Sequence, residues 1–322
     1  WYNINSFNPS RNYSAGAYYS FTSDCRIDRN LYWLMGKFAV FGDSILDKYS
    51  FFNSDRTSPE APVPVINDEK NEYYLGGAGL VSDKLIDLGN EVDLYTMIGD
   101  TSNSKIFKYL AEGINIFDFG KKSYEVTVKE RIIVNENYYL RRDVDANEIP
   151  NLSDVVAKFG DLINTYDGAI FVDYNKGFLT QNLFDLLSSI TSENNIISIL
   201  DPNINNIHKF HNLDFIKLNE SEAQHFSKKI NLEEIFNELN KLNVSSIVTL
   251  SSKGAAAQID GELFNFRSSN VKAVDVSGCG DVFLSNFISN YIINNDIKLS
   301  IKIAVDKSTN YVSFFGNKKN DN

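Results

Sequence analysis

Cysteine is almost absent from this sequence of 322 residues, which contains only Cys25 and Cys279. Two cysteines so far apart in the sequence support neither a disulfide framework nor a CxxC metal site. No apolar run approaches the ~20 residues that a membrane-spanning helix needs, and no basic start followed by an apolar segment resembles a secretory signal. We therefore expect a protein of the reducing cytoplasm that has no membrane partner.

Cations are also scarce. The sequence holds 31 Lys and Arg residues against 42 Asp and Glu residues, which gives a formal net charge of -11. A nucleic-acid-binding surface needs clustered Lys and Arg side chains to contact phosphates, so we expect no nucleic-acid partner. A small phosphorylated metabolite requires only a few local cations, and this composition does not exclude such a ligand.

Several motifs of nucleotide and metal sites are missing or incomplete. No GxxxxGK[ST] phosphate loop occurs, and Asp118-Phe119-Gly120 spells a protein-kinase motif without its HRD, VAIK and APE companions. His208 and His211 stand three positions apart in an Asn-rich segment without a third ligand, so we expect no zinc site there.

Aromatic residues mark the first part of the chain. Residues 1–34 hold both tryptophans and seven further Tyr or Phe residues, without clear periodicity. We interpret this segment as an appendage upstream of the folded domain, and the alternative is an aromatic surface that contacts a ligand or a partner. We expect residues 35–317 to form one domain and residues 318–322 to form a polar tail.

Strand-like and helix-like segments alternate from residue 35 onward. After Gly76 and Gly77, apolar residues recur at helical spacing, and Gly89 is placed to end that helix. Apolar runs of strand length lie at Lys37–Phe41, Ala169–Tyr174, Ile196–Leu200, Phe215–Leu218 and Ser246–Leu250. This order predicts an α/β fold in which a mainly parallel sheet is flanked by helices on both faces. Ligands bind beyond the carboxyl ends of strands in such sheets, and four polar residues fall there: Asp43, Asp173, Asp201 and Asn219.

A different pattern interrupts this alternation. Tyr124–Val134 begins with polar and apolar residues alternating by twos, and Tyr138–Arg142 follows after a turn-like segment, which predicts an antiparallel hairpin. Together with Tyr49–Phe52 and the stretch near Val63–Ile66, this hairpin is expected to form a small separate sheet. We interpret it as a lid over the site, built from about residues 44–75 and 122–143.

The segment Asp275–Ile288, DVSGCGDVFLSNFI, combines glycines, an acid and the start of a helical apolar pattern. Residues 277–280 therefore lie at a helix N-terminus, where unpaired N–H groups and the helix dipole attract anions and glycines let a phosphate approach the backbone. Asp281 suits a general base that takes a proton from a hydroxyl group attacking phosphorus. An anion hole beside a carboxylate is an arrangement for phosphoryl transfer. The alternative is a structural Gly-rich loop capped by Asp281.

The sequence resembles the ribokinase-like (PfkB) carbohydrate kinases over about Lys37–Gly316. The motifs that carry the resemblance are Gly76-Gly77-Ala78 before a helix, Asn219-Glu220-Ser221-Glu222 after a strand, and Asp275–Asp281 near the end. Within that superfamily, further segments are similar to the kinase module of the heptose-phosphate kinases of ADP-heptose biosynthesis. They are GDSILDKYSF at Gly42–Phe51, RTSPEAPVPVI at Arg56–Ile66, VDYNKG at Val172–Gly177 and LDPN at Leu200–Asn203. The resemblance implies a ribokinase-like fold with a small β-sheet lid, and a homodimer formed through that lid.

The resemblance also implies transfer of the ATP γ-phosphate to the anomeric hydroxyl of D-glycero-D-manno-heptose 7-phosphate, assisted by Mg²⁺. Asp281 matches the family's catalytic base, and the anion hole is matched by Gly278, Cys279 and Gly280. The nucleotide-binding positions are Asn219, Glu222, Ser251, Lys253 and Gly254, with Glu222 acting on the metal indirectly, through water. The sugar-binding positions are Asp43, Asp47, Gly76, Gly77 and Asp173.

Four cations are candidates for binding the sugar's own phosphate, argued from charge. An Arg fork suits a phosphate dianion, and the alternative for each of these side chains is a solvated surface charge. The four are Arg56, Arg131, Arg141 and Lys176.

Three positions depart from the family's pattern. Leu80 stands near the place of a sugar-contacting Asn, Val282 replaces a Thr after the base, and Asn203 replaces a lysine-like residue. These losses leave two alternatives to a heptose 7-phosphate kinase: a PfkB kinase for another sugar, and a sugar- or nucleotide-binding protein with little or no catalysis. Retention of Asp281 argues against the second. No HxGH nucleotidyltransferase signature is present, so we expect kinase activity alone from these residues.

Overall fold

The apolar runs of the sequence form strands whose side chains are buried on both faces. In β1 (Lys37–Gly42), Phe38 and Val40 pack on one side of the sheet, whereas Ala39 and Phe41 pack on the other. All four side chains are fully buried. Strands covered on both faces lack polar alternation, which is why these segments appear as short continuous apolar runs.

The computed structural model describes residues 36–146, 148–206, 211–259 and 261–313. These residues belong to one compact unit, Met35–Asn322. The predicted appendage of residues 1–34, the predicted tail of residues 318–322 and His208 lie outside the described residues.

The strands after β1, in chain order, are β2 (Ser44–Thr57), β3 (Pro64–Gly77), β4 (Glu91–Thr96), β5 (Asn115–Asp118), β6 (Thr127–Val134), β7 (Asn137–Val144), β8 (Gly168–Val172), β9 (Ile197–Asp201), β10 (Phe215–Asn219), β11 (Ser245–Thr249), β12 (Ala255–Ile259) and β13 (Glu262–Phe266). Nine of them form one sheet in the order β13-β12-β11-β10-β9-β8-β1-β4-β5. The pairs from β11 to β5 are parallel, and β12 and β13 add an antiparallel edge. The prediction of a mainly parallel sheet is confirmed.

Helices cover both faces of this sheet. They are α1 (Ala78–Asp87), α2 (Ser102–Leu110), α3 (Leu152–Leu162), α4 (Gln181–Glu193), α5 (Glu220–Ser227), α6 (Leu232–Leu239), α7 (Cys279–Asn294) and α8 (Ile297–Tyr311). The apolar side chains of α1, α2, α7 and α8 share a core with one face, and those of α3 to α6 share a second core with the other face. Among the described residues, no helix is long and apolar enough to cross a membrane.

The remaining four strands form a small sheet in the order β3-β2-β6-β7. The predicted hairpin is confirmed, because β6 and β7 pair antiparallel through a turn at Asn135 and Glu136. Both turn residues have positive φ, 47° and 64°, as a type I′ hairpin turn requires. β2 joins β3 antiparallel and β6 parallel, so the small sheet is assembled from two hairpins distant in sequence.

The sequence did not predict every element. Those not identified from the sequence are β4, β5, the hairpin of β12 and β13, and the helices α2, α3, α4 and α8. The acid of the kinase-like triplet is structural: the Asp118 carboxylate accepts hydrogen bonds from the N–H groups of Ile98 at 2.9 Å and Gly120 at 3.0 Å, and it pairs with Lys108 at 2.9 Å.

Candidate active site

The glycine-rich segment enters α7 as expected. Gly278 has φ +74° and stands at the N-cap, and no side chain caps the helix. The Cys279 N–H donates to the Val276 carbonyl at 3.3 Å, and the Val282 N–H donates to the Gly278 carbonyl at 3.0 Å. The N–H groups of Gly280 and Asp281 are therefore the candidates for binding an anion. A Cβ atom at Gly280 would lie 3.0 Å from the Lys217 Nζ atom, so a larger residue there would crowd this cation against the start of the helix.

Asp281 is buried in the first turn of α7. The Tyr174 hydroxyl donates to both carboxylate oxygens, at 3.1 Å to Oδ1 and 3.3 Å to Oδ2. Burial, followed by the negative charge of Asp201, raises the pKa of Asp281 to about 7, against the lowering effects of Lys217 and the Tyr174 hydrogen bond. A carboxyl group with a pKa near the working pH is well suited to general base catalysis.

Lys217, a buried residue in the middle of β10, forms an ion pair with the partly buried Asp201 at the end of β9. The Lys217 Nζ atom lies 2.8 Å and 2.7 Å from the two Asp201 carboxylate oxygens. Asp201 is the main cause that keeps the pKa of Lys217 above its ordinary value, against the effect of burial. The site thus has a permanent cation beside Gly280 and Asp281.

A cavity of about 620 Å³ opens where these strands end. Asp173, Asn219 and Glu222 line it, together with the loop after β11. Asn219 and Glu222 form a capping box at the start of α5, in which each side chain accepts from the other's backbone N–H, at 2.9 Å and 2.7 Å. Their spacing is therefore explained in part by helix capping.

The loop after β11 carries the remaining predicted nucleotide-binding residues. Ser251 and Gly254 line the cavity, and both have positive φ. Lys253 is exposed and pairs with Glu220 at 3.7 Å. The lining also includes five apolar residues: Val271, Ala273, Val276, Val305 and Val312.

One face of the small sheet, here called the inner face and defined by Asp47, Tyr49, Lys129 and Arg131, is directed toward α7 and its preceding loop. Arg131 forms a salt bridge with Asp47 and stacks over the Tyr49 ring at 5.0 Å. The Tyr49 hydroxyl donates to Asp275 at 2.8 Å, which ties the inner face to the segment that begins the glycine motif.

The predicted sugar-binding residues lie at the junction of the two sheets. Asp43 is buried and accepts hydrogen bonds from the N–H groups of Tyr174, Lys176 and Phe178 at 3.0, 3.0 and 3.1 Å. Burial raises the pKa of Asp43 to about 6, although these hydrogen bonds lower it. The Asp43 carboxylate thus organises the loop after β8.

Gly76 and Gly77 end β3 against β2. A Cβ atom at Gly76 would lie 2.5 Å from an Asp47 carboxylate oxygen. Gly77 has φ +57°, and a Cβ atom there would meet the Asp43 carbonyl. Both positions therefore require glycine for close approach of the chain, whatever binds beside them.

The four candidate phosphate-binding cations are placed differently. Arg131 lies on the inner face, and Arg141 is opposite it on β7, where it forms a bidentate pair with Asp143 at 2.7 and 2.9 Å. Lys176 pairs with Asp145 at 2.7 Å. Arg56 is exposed on the outer part of β2, and the structure does not bring it to the other three.

Three residues of this site were not predicted from the sequence: Tyr174, Lys217 and Lys129. Lys217 is a charged residue inside an otherwise apolar strand, a signal that could have identified it. Lys129 is two positions from Arg131, so strand alternation places both on one face. Its Nζ atom lies 4.6 Å from the centre of the Tyr174 ring, and it makes no ion pair with any described residue.

The positions that depart from the family pattern are also visible. Leu80 and Val282 are buried in the first turns of α1 and α7, and Asn203 lines the cavity. His211 lies 3.9 Å from Asp185, and the part of the chain described by the structure contains no group of three or more His, Cys, Asp or Glu side chains that could hold a metal ion.

Comparison with known proteins gives a family match. The model of the pfkB family of carbohydrate kinases matches residues 35–309. The bifunctional protein HldE of Helicobacter pylori is 31% identical over 266 residues, covering 78% of this chain and 58% of that protein. The bifunctional protein HldE of Aliarcobacter butzleri is 31% identical over 263 residues, covering 77% and 54%. The chain thus spans little more than half the length of these relatives.

Solved structures share the fold. Ribokinase of Arabidopsis thaliana, complexed with ribose and ATP, superposes with a TM-score of 0.69 at 16% identity, covering 88% of this chain and 94% of that one. Phosphofructokinase-2 of Escherichia coli, in complex with potassium, superposes with a TM-score of 0.71 at 14% identity and the same coverage. At such identities the likeness establishes the ribokinase-like fold, as predicted, and nothing more.

Proposed function

Since this chain belongs to the pfkB family of carbohydrate kinases, we propose that it transfers the γ-phosphoryl group of ATP to a sugar phosphate. The proposed acceptor is the anomeric hydroxyl of D-glycero-D-manno-heptose 7-phosphate, and the product is the 1,7-bisphosphate used to make ADP-heptose for surface polysaccharide. The observation that carries the proposal is the position of Asp281, a buried carboxyl with a pKa of about 7 between the cavity and the inner face of the small sheet. The similarity to HldE supports the heptose.

The proposed reaction is an in-line displacement with Asp281 as base. The anomeric O–H bond breaks as its proton passes to an Asp281 carboxylate oxygen. The sugar oxygen bonds to the γ-phosphorus, and the bond from that phosphorus to the β–γ bridging oxygen breaks, so that its electron pair leaves with ADP. We assign the N–H groups at the start of α7 and the Lys217 ammonium the role of stabilising the phosphoryl oxygens during transfer.

The cavity provides a site of suitable character for ATP. Its apolar wall, which includes Val276 and Val305, suits a nucleobase, and its polar end at Gly278–Asp281 suits phosphates. Ser251 and Gly254, on the loop after β11, also line the cavity, and we assign them contacts with the nucleotide. Lys253 is on the same loop but does not line the cavity.

The residues also fit Mg²⁺, which proteins hold through one or two carboxylates together with phosphate oxygens and water. Burial and the negative charge of Asp201 raise the pKa of Glu222, so a cation near these two carboxylates would be stabilised. We assign Glu222 the role of holding Mg²⁺ through water. The ion would neutralise charge on the phosphates of ATP.

The inner face is the proposed site for the sugar and its own phosphate. Lys129, Arg131 and Arg141 are neighbours on β6 and β7, and the positive charge of Arg141 contributes to the lowered pKa of Lys129 after burial. A group of cations that repel one another is stabilised by a phosphate dianion. Asp43, Asp47 and Asp173 would then accept from sugar hydroxyls.

Measurement of ADP formation over a panel of sugars tests the proposal. We expect D-glycero-D-manno-heptose 7-phosphate to stimulate ATP consumption more than heptose, ribose or fructose 6-phosphate. Preference for another sugar would favour the alternative of a PfkB kinase with a different substrate. The departures from the family pattern at Leu80 and Asn203 support that alternative. Absence of any stimulated turnover would contradict kinase activity and favour a binding protein.

Substitution of Arg141 tests the phosphate site. In Arg141→Gln we expect the KM for heptose 7-phosphate to rise about 10- to 100-fold, the effect of losing one charge-assisted hydrogen bond, with the KM for ATP unchanged. Arg142→Gln is the matched control, because Arg142 is the next residue on β7 and pairs with Glu130 on the other face at 3.0 Å. Equal kinetic effects of the two substitutions would refute a phosphate contact by Arg141.

A homodimer through the small sheet remains part of the proposal. β7 is an edge strand exposed along its whole length, and it exposes Tyr138, Tyr139 and Leu140. Exposed apolar side chains on a sheet edge favour association. Sedimentation of the wild type should give twice the monomer mass, and a monomer at all concentrations would exclude it.

A further inference from the structure

The loop after β8 brings three parts of the structure together at one residue that the reaction above does not use. The Tyr174 N–H donates to the Asp43 carboxylate at 3.0 Å, its ring lies under the Lys129 ammonium at 4.6 Å, and its hydroxyl donates to Asp281. Tyr174 thus contacts Asp43, just after β1, through its backbone N–H. Its ring contacts the inner face of the small sheet, and its hydroxyl contacts the candidate base.

We propose that Tyr174 is a positioning residue that fixes the Asp281 carboxylate and stabilises its anion through a shared hydrogen bond. This inference rests on the proposed role of Asp281 as base. One O–H shared between two carboxylate oxygens restrains rotation of the carboxylate, and it leaves acceptor sites for the hydroxyl of the sugar. Lys129 over the ring joins the position of the small sheet to the position of the base.

Tyr174 remains a donor across the working pH range. Burial, followed by the negative charge of Asp281, holds the pKa of Tyr174 well above its ordinary value. A neutral hydroxyl that donates to a carboxylate stabilises its anion, and the Tyr174 hydrogen bond accordingly lowers the pKa of Asp281.

Several other groups face Asp281 from the elements around it. Asp201 and Asp47 raise its pKa, and Lys217 lowers it. The charged and titratable neighbours, from β9, β10, the small sheet, α7 and α8, are Asp201, Lys217, Asp47, Lys129, Cys279 and Tyr311. All of these residues are retained in Tyr174→Phe. This variant therefore isolates the contribution of the Tyr174 hydroxyl to the pKa of Asp281.

The test is the pH profile of kcat/KM for wild type and Tyr174→Phe. Protonated Asp281 cannot accept a proton, so wild-type activity should fall as pH drops below about 7. Loss of the stabilising hydrogen bond raises the pKa of Asp281, and the acid limb of Tyr174→Phe should move up by about one pH unit. The two profiles should converge at high pH. Ionisation of the sugar phosphate affects all variants equally. The test therefore compares the pH profile of Tyr174→Phe with that of the wild type.

Tyr166→Phe is the matched control. Tyr166 lies just before β8, whereas Tyr174 lies just after it. The buried Tyr166 hydroxyl donates to the Asp93 carboxylate at 2.6 Å, so this pair also joins a tyrosine to a carboxylate but lies at the other end of the strand. We expect an unshifted acid limb in this variant, whatever its stability. An unshifted limb in Tyr174→Phe, or a rate loss equal at every pH, would overturn the inference.

Asp281→Asn separates this inference from the proposed function. Full activity in Asp281→Asn would refute the base assignment and, with it, the role of Tyr174. An inactive Asp281→Asn together with an unshifted Tyr174→Phe profile would refute the positioning role alone.

Discussion

Replacement of Asp281 by Asn should lower kcat by about 10²- to 10⁴-fold, the usual effect of losing a general base. Asn has nearly the same shape as Asp and still accepts the Tyr174 hydrogen bond, but it cannot take the proton of the sugar hydroxyl. The KM values for ATP and sugar should change little, because the proton transfer proposed for this carboxylate takes place in the transition state. Single-turnover rates measured with saturating substrates would check this.

The same variant should keep or gain stability, which distinguishes lost chemistry from lost folding. The pKa of Asp281 rises from 3.8 to about 7 in the fold. The folded protein therefore holds an extra proton between these values, and its stability falls as pH rises through that window. At high pH this shift lowers the free energy of unfolding of the wild type by roughly 4 kcal/mol. The Asn variant has no carboxyl to ionise and therefore avoids this loss. A melting temperature at pH 8 below that of the wild type would contradict this account of Asp281.

Replacement of Lys217 by Met should have the second large effect, on both activity and stability. Without its partner, Asp201 becomes an unpaired, partly buried carboxylate, which costs up to about 3–5 kcal/mol. The phosphoryl group loses a cation at the start of α7, and kcat should fall by about 10²- to 10³-fold, as for a lost donor in an oxyanion hole. The acid limb of activity should also move up, because Lys217 lowers the pKa of Asp281.

Two further variants separate these contributions. Lys84 is a buried lysine of α1 that pairs with Asp83 at 3.1 Å and Asp87 at 2.7 Å, so Lys84→Met should lose stability without the loss in kcat. The double variant with Lys217→Met and Asp201→Asn has no unpaired charge in the pair and should regain stability while kcat stays low. Recovery of wild-type kcat in the double variant would rule out a direct role for Lys217 in phosphoryl transfer.

The sequence predicted those parts of the structure that depend on local pattern. The buried strands and the helix after Gly77 followed from apolar periodicity, and Gly89 ends that helix with φ +87°. The position of Asp281 in the first turn of α7 followed from the glycines before it. Such features need only neighbouring residues to be recognised.

The parts that depend on pairing between distant residues were not accessible in this way. Lys176 was a candidate for phosphate on charge alone, but its partner Asp145 is known only from the fold. Tyr174 reaches Asp281 across more than a hundred positions of sequence, and no local pattern predicts that hydrogen bond. The hydrogen bonds and ion pairs of the site therefore depend on contacts between residues distant in sequence, which the sequence alone does not reveal.

The most direct test of the central proposal is the identity of the product made by the wild-type chain. Phosphorus NMR of a reaction with ATP, Mg²⁺ and D-glycero-D-manno-heptose 7-phosphate should show a second phosphomonoester at the anomeric carbon, formed together with ADP. Asp281→Asn, under the same conditions, should leave both substrates nearly unchanged. ADP formation without a new sugar phosphate, or an unchanged spectrum with the wild type, would contradict the assignment of this site to phosphorylation of the sugar.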